Sequence, residues 1–284
     1  MSIPKPLVTR LAKQHPHSAA LLKAFIPLLE AQNSLVEELP ALELPKLDTS
    51  SFAQGKPWLP ALTVDPLTYL DEAFLKAAPK KITSAAAKGF PDIKEDIRAI
   101  GSVISKDRKE AKEIIAYHLK GELGKLKSWA KKHTFNPDAA ALLAMHLAAA
   151  AAKRAAVAAK SFALPKWERS YCPICGSRPH GSCLKTKEGQ RFLQCSLCGH
   201  EWRFSRTACP VCEQDSPLEL PLFFLEEQKI ERAEACDKCK HYILGVDMRE
   251  ILDEEAILEL YLICMMPLDI LMEEKGYAPA TTAG

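Results

Sequence analysis

Four Cys-x-x-Cys pairs stand in the C-terminal half of this sequence: Cys172/Cys175, Cys195/Cys198, Cys209/Cys212 and Cys236/Cys239. Two residues between cysteines let a tight turn aim both sulfurs at one point, about 2.3 Å from a metal ion, while turn amides donate to the thiolates. Each pair supplies half of a tetrahedral site, so four pairs make two mononuclear four-cysteine sites. Sequential pairing joins Cys172, Cys175, Cys195 and Cys198 with a central spacing of 19 residues, and Cys209, Cys212, Cys236 and Cys239 with one of 23. Repetition supports it: Tyr171-Cys172-Pro173-Ile174-Cys175 resembles Ala208-Cys209-Pro210-Val211-Cys212, and each is followed by a second, proline-free pair. Crossed pairing, as in interleaved two-metal domains, is the alternative. A sulfur-only tetrahedron suits zinc and rubredoxin-type iron, and spacing does not choose between them.

Other readings of these cysteines compete. Redox dithiols of the thioredoxin kind need a βαβ setting, which the surrounding pattern lacks. Structural disulfides need an oxidising compartment. The N-terminus, Met1-Ser2-Ile3-Pro4-Lys5-Pro6, has no apolar secretory core, so a cytoplasmic location is expected. Metal with a purely structural role is the strongest competitor, because a β module this small has too little apolar core to fold alone. Cys183 and Cys264 lie outside the pairs. Cys264 falls on an apolar helical face and reads as a small buried hydrophobe; Cys183 reads as packing near the first site. His180 and His200 flank knuckles whose sites are already complete, so supporting or surface roles are expected. His118 and His146 fall on helical faces.

All ten cysteines lie after residue 171, which separates two modules built by different physics. Residues 1–165 read as a helical domain with a proline-rich linker near 40–66. Leu21, Leu22, Phe25, Leu28, Leu29, Val36 and Leu39 recur at helical spacing, with Pro27 expected to kink or divide that helix. The linker carries Pro40, Pro45, Pro57, Pro60 and Pro66, and Trp58 is expected to pin it to a core. Asp65-Pro66 predicts a helix start, with Leu67, Leu70, Phe74 and Leu75 as its apolar face. Further helices carry Ile93, Ile97, Ile100 and Ile104, then Ala111, Ile114, Ile115 and Leu119, with a break expected around Gly121 and Gly124. Asn136-Pro137-Asp138 opens an alanine-rich helix to about Lys160, with Lys153 and Arg154 expected outward.

Past Pro165 short β segments appear at 181–186, 191–195 and 201–206, with a hairpin turn at Lys187-Glu188-Gly189. Residues 166–206 and 207–250 read as two tandem ribbon modules. Residues 251–284 read as a C-terminal helix and tail, with Ile257, Leu260, Tyr261, Cys264, Leu268, Leu271 and Met272 on one face and Pro267 as a kink. The fold class is α+β.

Hydrophobic residues are 48% and charged residues 26%, an ordinary globular balance, and the formal net charge of +2 gives no whole-chain case for nucleic acid. The longest apolar stretch, Ala139–Ala152, is too short and too alanine-rich for a membrane span. Residues 172–212 are basic, with Arg178, Lys185, Lys187, Arg191, Arg203 and Arg206 against Glu188 and Glu201. Residues 213–240 are acidic. Phe192, Trp202 and Phe204 in the basic ribbon allow a nucleic-acid reading, which the acidic neighbour disfavours.

Several stretches together resemble the FdhE family: Tyr171 to Pro179, Arg191 to Cys198, Glu201-Trp202, Cys209-Pro210-Val211-Cys212-Glu213-Gln214, and Ala233-Glu234-Ala235-Cys236-Asp237-Lys238-Cys239. The helical half and Gly55-Lys56-Pro57 are similar in placement. Lys240 departs from the pattern, standing where knuckles commonly carry glycine, which predicts a less regular second site. The resemblance implies a helical N-terminal domain and two rubredoxin-like sites with the eight paired cysteines as ligands and iron as the favoured metal. It also implies an accessory role in formate dehydrogenase maturation, exerted by binding the catalytic subunit. No P-loop, HExxH, G-x-S-x-G or dinucleotide fingerprint is present, so no catalytic residue is assigned. The alternatives are a rubredoxin-like redox or thiol-exchange protein and a zinc-ribbon nucleic-acid binder.

Overall fold

The computed structural model describes residues 3–59, 70–162, 164–225, 230–252 and 256–283. They form two compact units: Met1–Ile3, Lys23–Lys46 and Leu59–Ala163 in one, and Pro4–Leu22, Leu47–Trp58 and Leu164–Gly284 in the other. The second unit therefore includes two segments that the sequence pattern groups with the helical half.

The first unit is all helix. Its elements are α2 (Ala19–Glu38, of which residues 23 onward belong here), α4 (Glu72–Gly89), α5 (Lys94–Lys106), α6 (Arg108–Leu119), α7 (Leu123–Lys132) and α8 (Pro137–Ala159). Helix α8 is its axis. Asn136 accepts the Asp138 and Ala139 amides, Pro137 sets the first turn, and most of its alanines are fully buried against α4, α5, α6 and α7. By length and composition this helix could cross a bilayer, but most of it is buried inside the unit. Leu119 and Leu123 bracket a break at Gly121, as expected, whereas Gly124 lies inside α7. The predicted start at Asp65-Pro66, with Leu67, lies outside the described residues; Phe74 and Leu75 are buried on α4, which Asp71 caps.

Of the kink or division expected at Pro27, the division is absent: helix α2 runs through Pro27, and α4 likewise carries Pro79 inside. One expectation fails. Arg154 faces inward: its side chain is 4% exposed, and Nη2 donates to Asp71 Oδ2 at 2.7 Å and to the Pro40 carbonyl at 2.6 Å. Helical spacing identifies a face but does not show that a carboxylate waits on it. His146 is also buried, accepting at Nδ1 from Gln32 Nε2 at 2.9 Å, and burial lowers its pKa to about 4.

The second unit is a mixed sheet with helices on one face. Its strands are β1 (Pro179–Lys185), β2 (Gln190–Cys195), β3 (Glu201–Arg203), β4 (Leu222–Phe223), β5 (Glu231–Cys236), β6 (His241–Asp247) and β7 (Ala278–Pro279). Their order is β3-β2-β1-β6-β5-β4, with β7 on β6. The two ribbons expected in tandem thus share one sheet, joined where β1 pairs in parallel with β6. Helices α1 (Lys5–Gln14) and α9 (Leu258–Cys264) cover the face that bears Cys183, Val246 and Ala233, while α10 (Met266–Glu274) adjoins β5. The terminal helix is two helices, divided at Met265, with Pro267 opening the second. Short helix α3 (Thr49–Ala53) interrupts the linker, capped by Asp48. Trp58 is buried and its amide donates to the Pro173 carbonyl beside the first knuckle.

On the covered face His15 Nε2 lies 3.0 Å from Glu231 Oε1, both side chains nearly inaccessible. Burial pushes the Glu231 carboxyl up to about 7 and lowers His15. A raised carboxyl favours folding fully below its ordinary value and loses that contribution as pH rises through 7; His15 acts oppositely as pH falls below 6.5. Between pH 6 and 8 the wild type should therefore lose roughly 1–2 kcal/mol relative to Glu231→Gln, read by denaturant titration across pH.

Candidate metal centres

Each Cys-x-x-Cys pair sits in the same turn. The amide four residues after the first cysteine donates back to its carbonyl: Gly176 to Cys172 at 3.0 Å, Gly199 to Cys195 at 3.2 Å, Glu213 to Cys209 at 3.0 Å and Lys240 to Cys236 at 2.9 Å. All four donors adopt left-handed backbone, with φ of 81°, 66°, 59° and 57°. Glycine does this freely, and a side-chain-bearing residue at a cost of about 1 kcal/mol. Lys240 thus takes up the glycine geometry, and the second knuckle is regular. Glu213 and Lys240 are turn-forming residues that their types conceal; their shared place one step beyond each pair is the signal that could have found them. Gly199→Ala should cost about 1 kcal/mol, whereas Lys240→Gly should be neutral or stabilising by up to about 1 kcal/mol, measured by denaturation of metal-loaded protein. Gly176→Ala should cost more, since its Cβ would lie 3.0 Å from Pro57 Cγ.

Amides also aim at sulfur: Ile174 at Cys172 Sγ (3.4 Å), Leu197 at Cys195 Sγ (3.4 Å) and Val211 at Cys209 Sγ (3.4 Å). The Gln214 side-chain amide donates to Cys236 Sγ at 3.5 Å.

The sulfurs gather in the sequential grouping: Cys172, Cys175, Cys195 and Cys198 in one cluster and Cys209, Cys212, Cys236 and Cys239 in the other, each within 4.8 Å throughout. Separations are 3.6 Å for Cys172–Cys198, 3.4 Å for Cys175–Cys195, 3.7 Å for Cys209–Cys239 and 3.8 Å for Cys212–Cys236. A tetrahedron with metal–sulfur bonds of about 2.3 Å has edges of about 3.8 Å, while a disulfide is about 2.05 Å. The clusters therefore have the dimensions of tetrathiolate metal sites.

Their electrostatics agree. Sulfur donors from Cys172, Cys195 and Cys198 hold the Cys175 thiol well below its ordinary value, while burial pushes Cys195 and Cys198 well up. In the second cluster burial raises Cys209 and carries Cys239 to about 11; at Cys236 the amides of Cys239 and Lys238 and the Gln214 amide outweigh burial and lower it. Each cluster by itself favours few thiolates, and a divalent or trivalent cation supplies the charge that ionises all four.

The clusters differ in exposure. All four cysteines of the first are buried; in the second Cys212 is exposed and Cys239 half-buried. Cys183 and Cys264 are fully buried, and burial pushes each thiol up to about 12, so both are packing residues. His180 supports β2 through Gln194 Oε1 at 2.9 Å, and the His200 carbonyl accepts the Cys195 amide at 2.9 Å. Neither imidazole belongs to a cluster.

Residues 171–206, the span of the first centre, match the family model for the FdhE central domain. An FdhE homolog from Aquifex aeolicus (strain VF5) is 27% identical over 274 residues, spanning 94% of this chain and 88% of that protein. Along nearly its whole length the chain is similar to an FdhE protein. FdhE of Escherichia coli (strain K12 / DH10B) is 36% identical over 113 residues, which are 39% of this chain and 36% of that protein. The crystal structure of FdhE from Pseudomonas aeruginosa shares the fold, with a TM-score of 0.67 at 23% identity, over 98% of this chain and 92% of the other.

The nucleic-acid features do not form a surface. Trp202 and Phe204 are buried, and Trp202 Nε1 donates to the Arg169 carbonyl at 3.0 Å. Arg191 is buried and paired with Glu234. Lys187, Arg203 and Arg206 remain exposed, too few for a phosphate track.

Proposed function

We propose that this chain is a cytoplasmic accessory protein that assists maturation of formate dehydrogenase by binding its catalytic subunit, with two metal ions each bound by four cysteines and no turnover chemistry of its own. The observation that carries this is the pair of preformed tetrathiolate centres on one sheet, in a chain similar along nearly its whole length to an FdhE homolog. The eight paired cysteines would be the ligands. Iron is the favoured metal from the family resemblance, and zinc fits the same sulfur tetrahedron. Affinity-tagged chain, purified anaerobically under mild reducing conditions, should retain the formate dehydrogenase catalytic subunit; recovery of the chain alone would count against the reading.

A second reading rests on the exposure of Cys212 and Cys239. An accessible thiolate ligand favours thiol exchange with a client, and an iron centre so placed favours electron transfer. Metal analysis with an anaerobic absorption spectrum tests it. A colourless protein holding zinc only would remove the electron-transfer version.

A further inference from the structure

The sheet face opposite α1 and α9 is charged. Strand alternation and pairing put Arg191 of β2, Ser182 and Leu184 of β1, Gly245 and Asp247 of β6, and Arg232 and Glu234 of β5 on that face. Glu234, 12% exposed, meets Arg191 Nη2 at 2.5 Å and Arg232 Nε at 2.8 Å, and accepts from Ser182 Oγ at 3.0 Å. Arg191 also donates through Nη1 to the Ser205 and Ala208 carbonyls at 3.2 and 3.0 Å. Placing such groups on a sheet face costs desolvation that apolar residues would avoid.

The charges do not balance. A cavity of about 390 Å³ opens over this face. Among the described residues on its wall, four guanidinium groups (Arg191, Arg206, Arg232, Arg249) meet only two carboxylates, Glu234 and Asp247. Two positive charges are left over. The Arg191 side chain is 4% exposed, and its Nε has no hydrogen-bond partner among the described residues. Gly245 leaves room for the Ser182–Glu234 contact: a Cβ there would lie 2.6 Å from Ser182 Oγ and 2.8 Å from Glu234 Oε1. The remaining wall is apolar, with Leu220, Leu222 and Phe224; Leu222 and Phe224 are each about half exposed.

We propose that this cavity, between the two metal ribbons, binds a small phosphate monoester whose dianion meets the arginines and whose apolar or aromatic body lies on Leu222 and Phe224. A guanidinium fork matches a phosphate with paired N–H donors, and two surplus positive charges match a dianion rather than a carboxylate. No cysteine lines the site, although Ala208, Pro210 and Ala235 beside the second cluster do, and the site does not depend on the accessory role proposed above.

Calorimetric titration of metal-loaded full-length chain with phenyl phosphate, inorganic phosphate and benzoate tests it. Phenyl phosphate should bind saturably and more tightly than either of the others. Arg206→Ala, at an exposed rim position, should weaken it about tenfold, and Phe224→Ala should weaken phenyl phosphate but leave inorganic phosphate unchanged. Arg191→Lys keeps the charge while removing the unpartnered Nε–H, and should weaken phenyl phosphate with the metal content intact. Absence of saturation up to tens of millimolar, benzoate binding as tightly as phenyl phosphate, or binding untouched by Arg206→Ala would each overturn the proposal.

Discussion

Serine at Cys175 should cost the first centre its metal and the ribbon around it its fold. Its neighbours hold the Cys175 thiol well below its ordinary value, and all four sulfurs of that centre are buried. The ribbon is a short hairpin, β1–β2, with the three-residue strand β3. Alone, so small a ribbon would bury too little apolar surface to offset chain entropy; within the shared sheet a bound metal still adds folding free energy, about 10 kcal/mol or more for structural zinc at pH 7. Cys175→Ser should therefore lose one of two metal ions and at least ~3 kcal/mol of stability, a fall in Tm on the order of 10 °C. Cys212→Ser should also lose one metal but less stability, because Cys212 stands at the exposed rim. Chelator challenge of the wild type should release metal in two phases, and Cys212→Ser should abolish the faster one. Metal content, circular dichroism and release kinetics on the same preparations distinguish these outcomes.

The largest effect expected in the helical unit comes from Asp71. Its carboxylate caps α4 by accepting the Phe74 amide at 2.8 Å and pairs with buried Arg154. Arg154 Nε and Nη1 have no partner among the described residues, so Asp71 and the Pro40 carbonyl are what compensate the guanidinium. Asp71→Ala removes the cap and strands a buried cation, for an expected loss of about 3–5 kcal/mol. Arg154→Met should cost far less, below about 2 kcal/mol, because Asp71 is 39% exposed and rehydrates while methionine fills the slot. Burial alone would raise the Asp71 carboxyl; Arg154 and the Phe74 amide outweigh it and hold it below 3.8. A lowered carboxyl stabilises the fold above its ordinary value and stops doing so as pH falls through the folded one. The gap between wild type and Asp71→Ala should thus narrow below about pH 4, which thermal denaturation across pH will show.

Much of the helical unit was legible because local signals are strong there. The Asn136-Pro137 start and the Gly121 break depend on backbone geometry within one turn, and the structure has both. The proline inside α2 does not divide the helix, because tertiary packing over 20 residues outweighs one lost hydrogen bond. Arg154 misled because its partner is 83 residues away. The nucleic-acid reading, disfavoured by the acidic neighbour, loses two of its aromatics to the interior, Trp202 and Phe204.

The cysteine clusters were readable because ligand spacing is a local constraint: two residues between sulfurs set the turn, and identical turns repeat four times. Residue types and their order carried the count of sites, the four-sulfur donor set and the family resemblance. Three things had to wait for the folded chain. The two ribbons share one sheet because β1 pairs with β6, a contact between segments far apart in sequence that no periodicity encodes. The second centre is open and the first closed, since exposure depends on what packs over a turn and not on the turn itself. The charged cavity exists only because Arg191 and Glu234, from oppositely charged stretches of sequence, are brought to 2.5 Å across four strands. Local chemistry is written in short spacings; burial and charge balance arise from segments that meet only on folding.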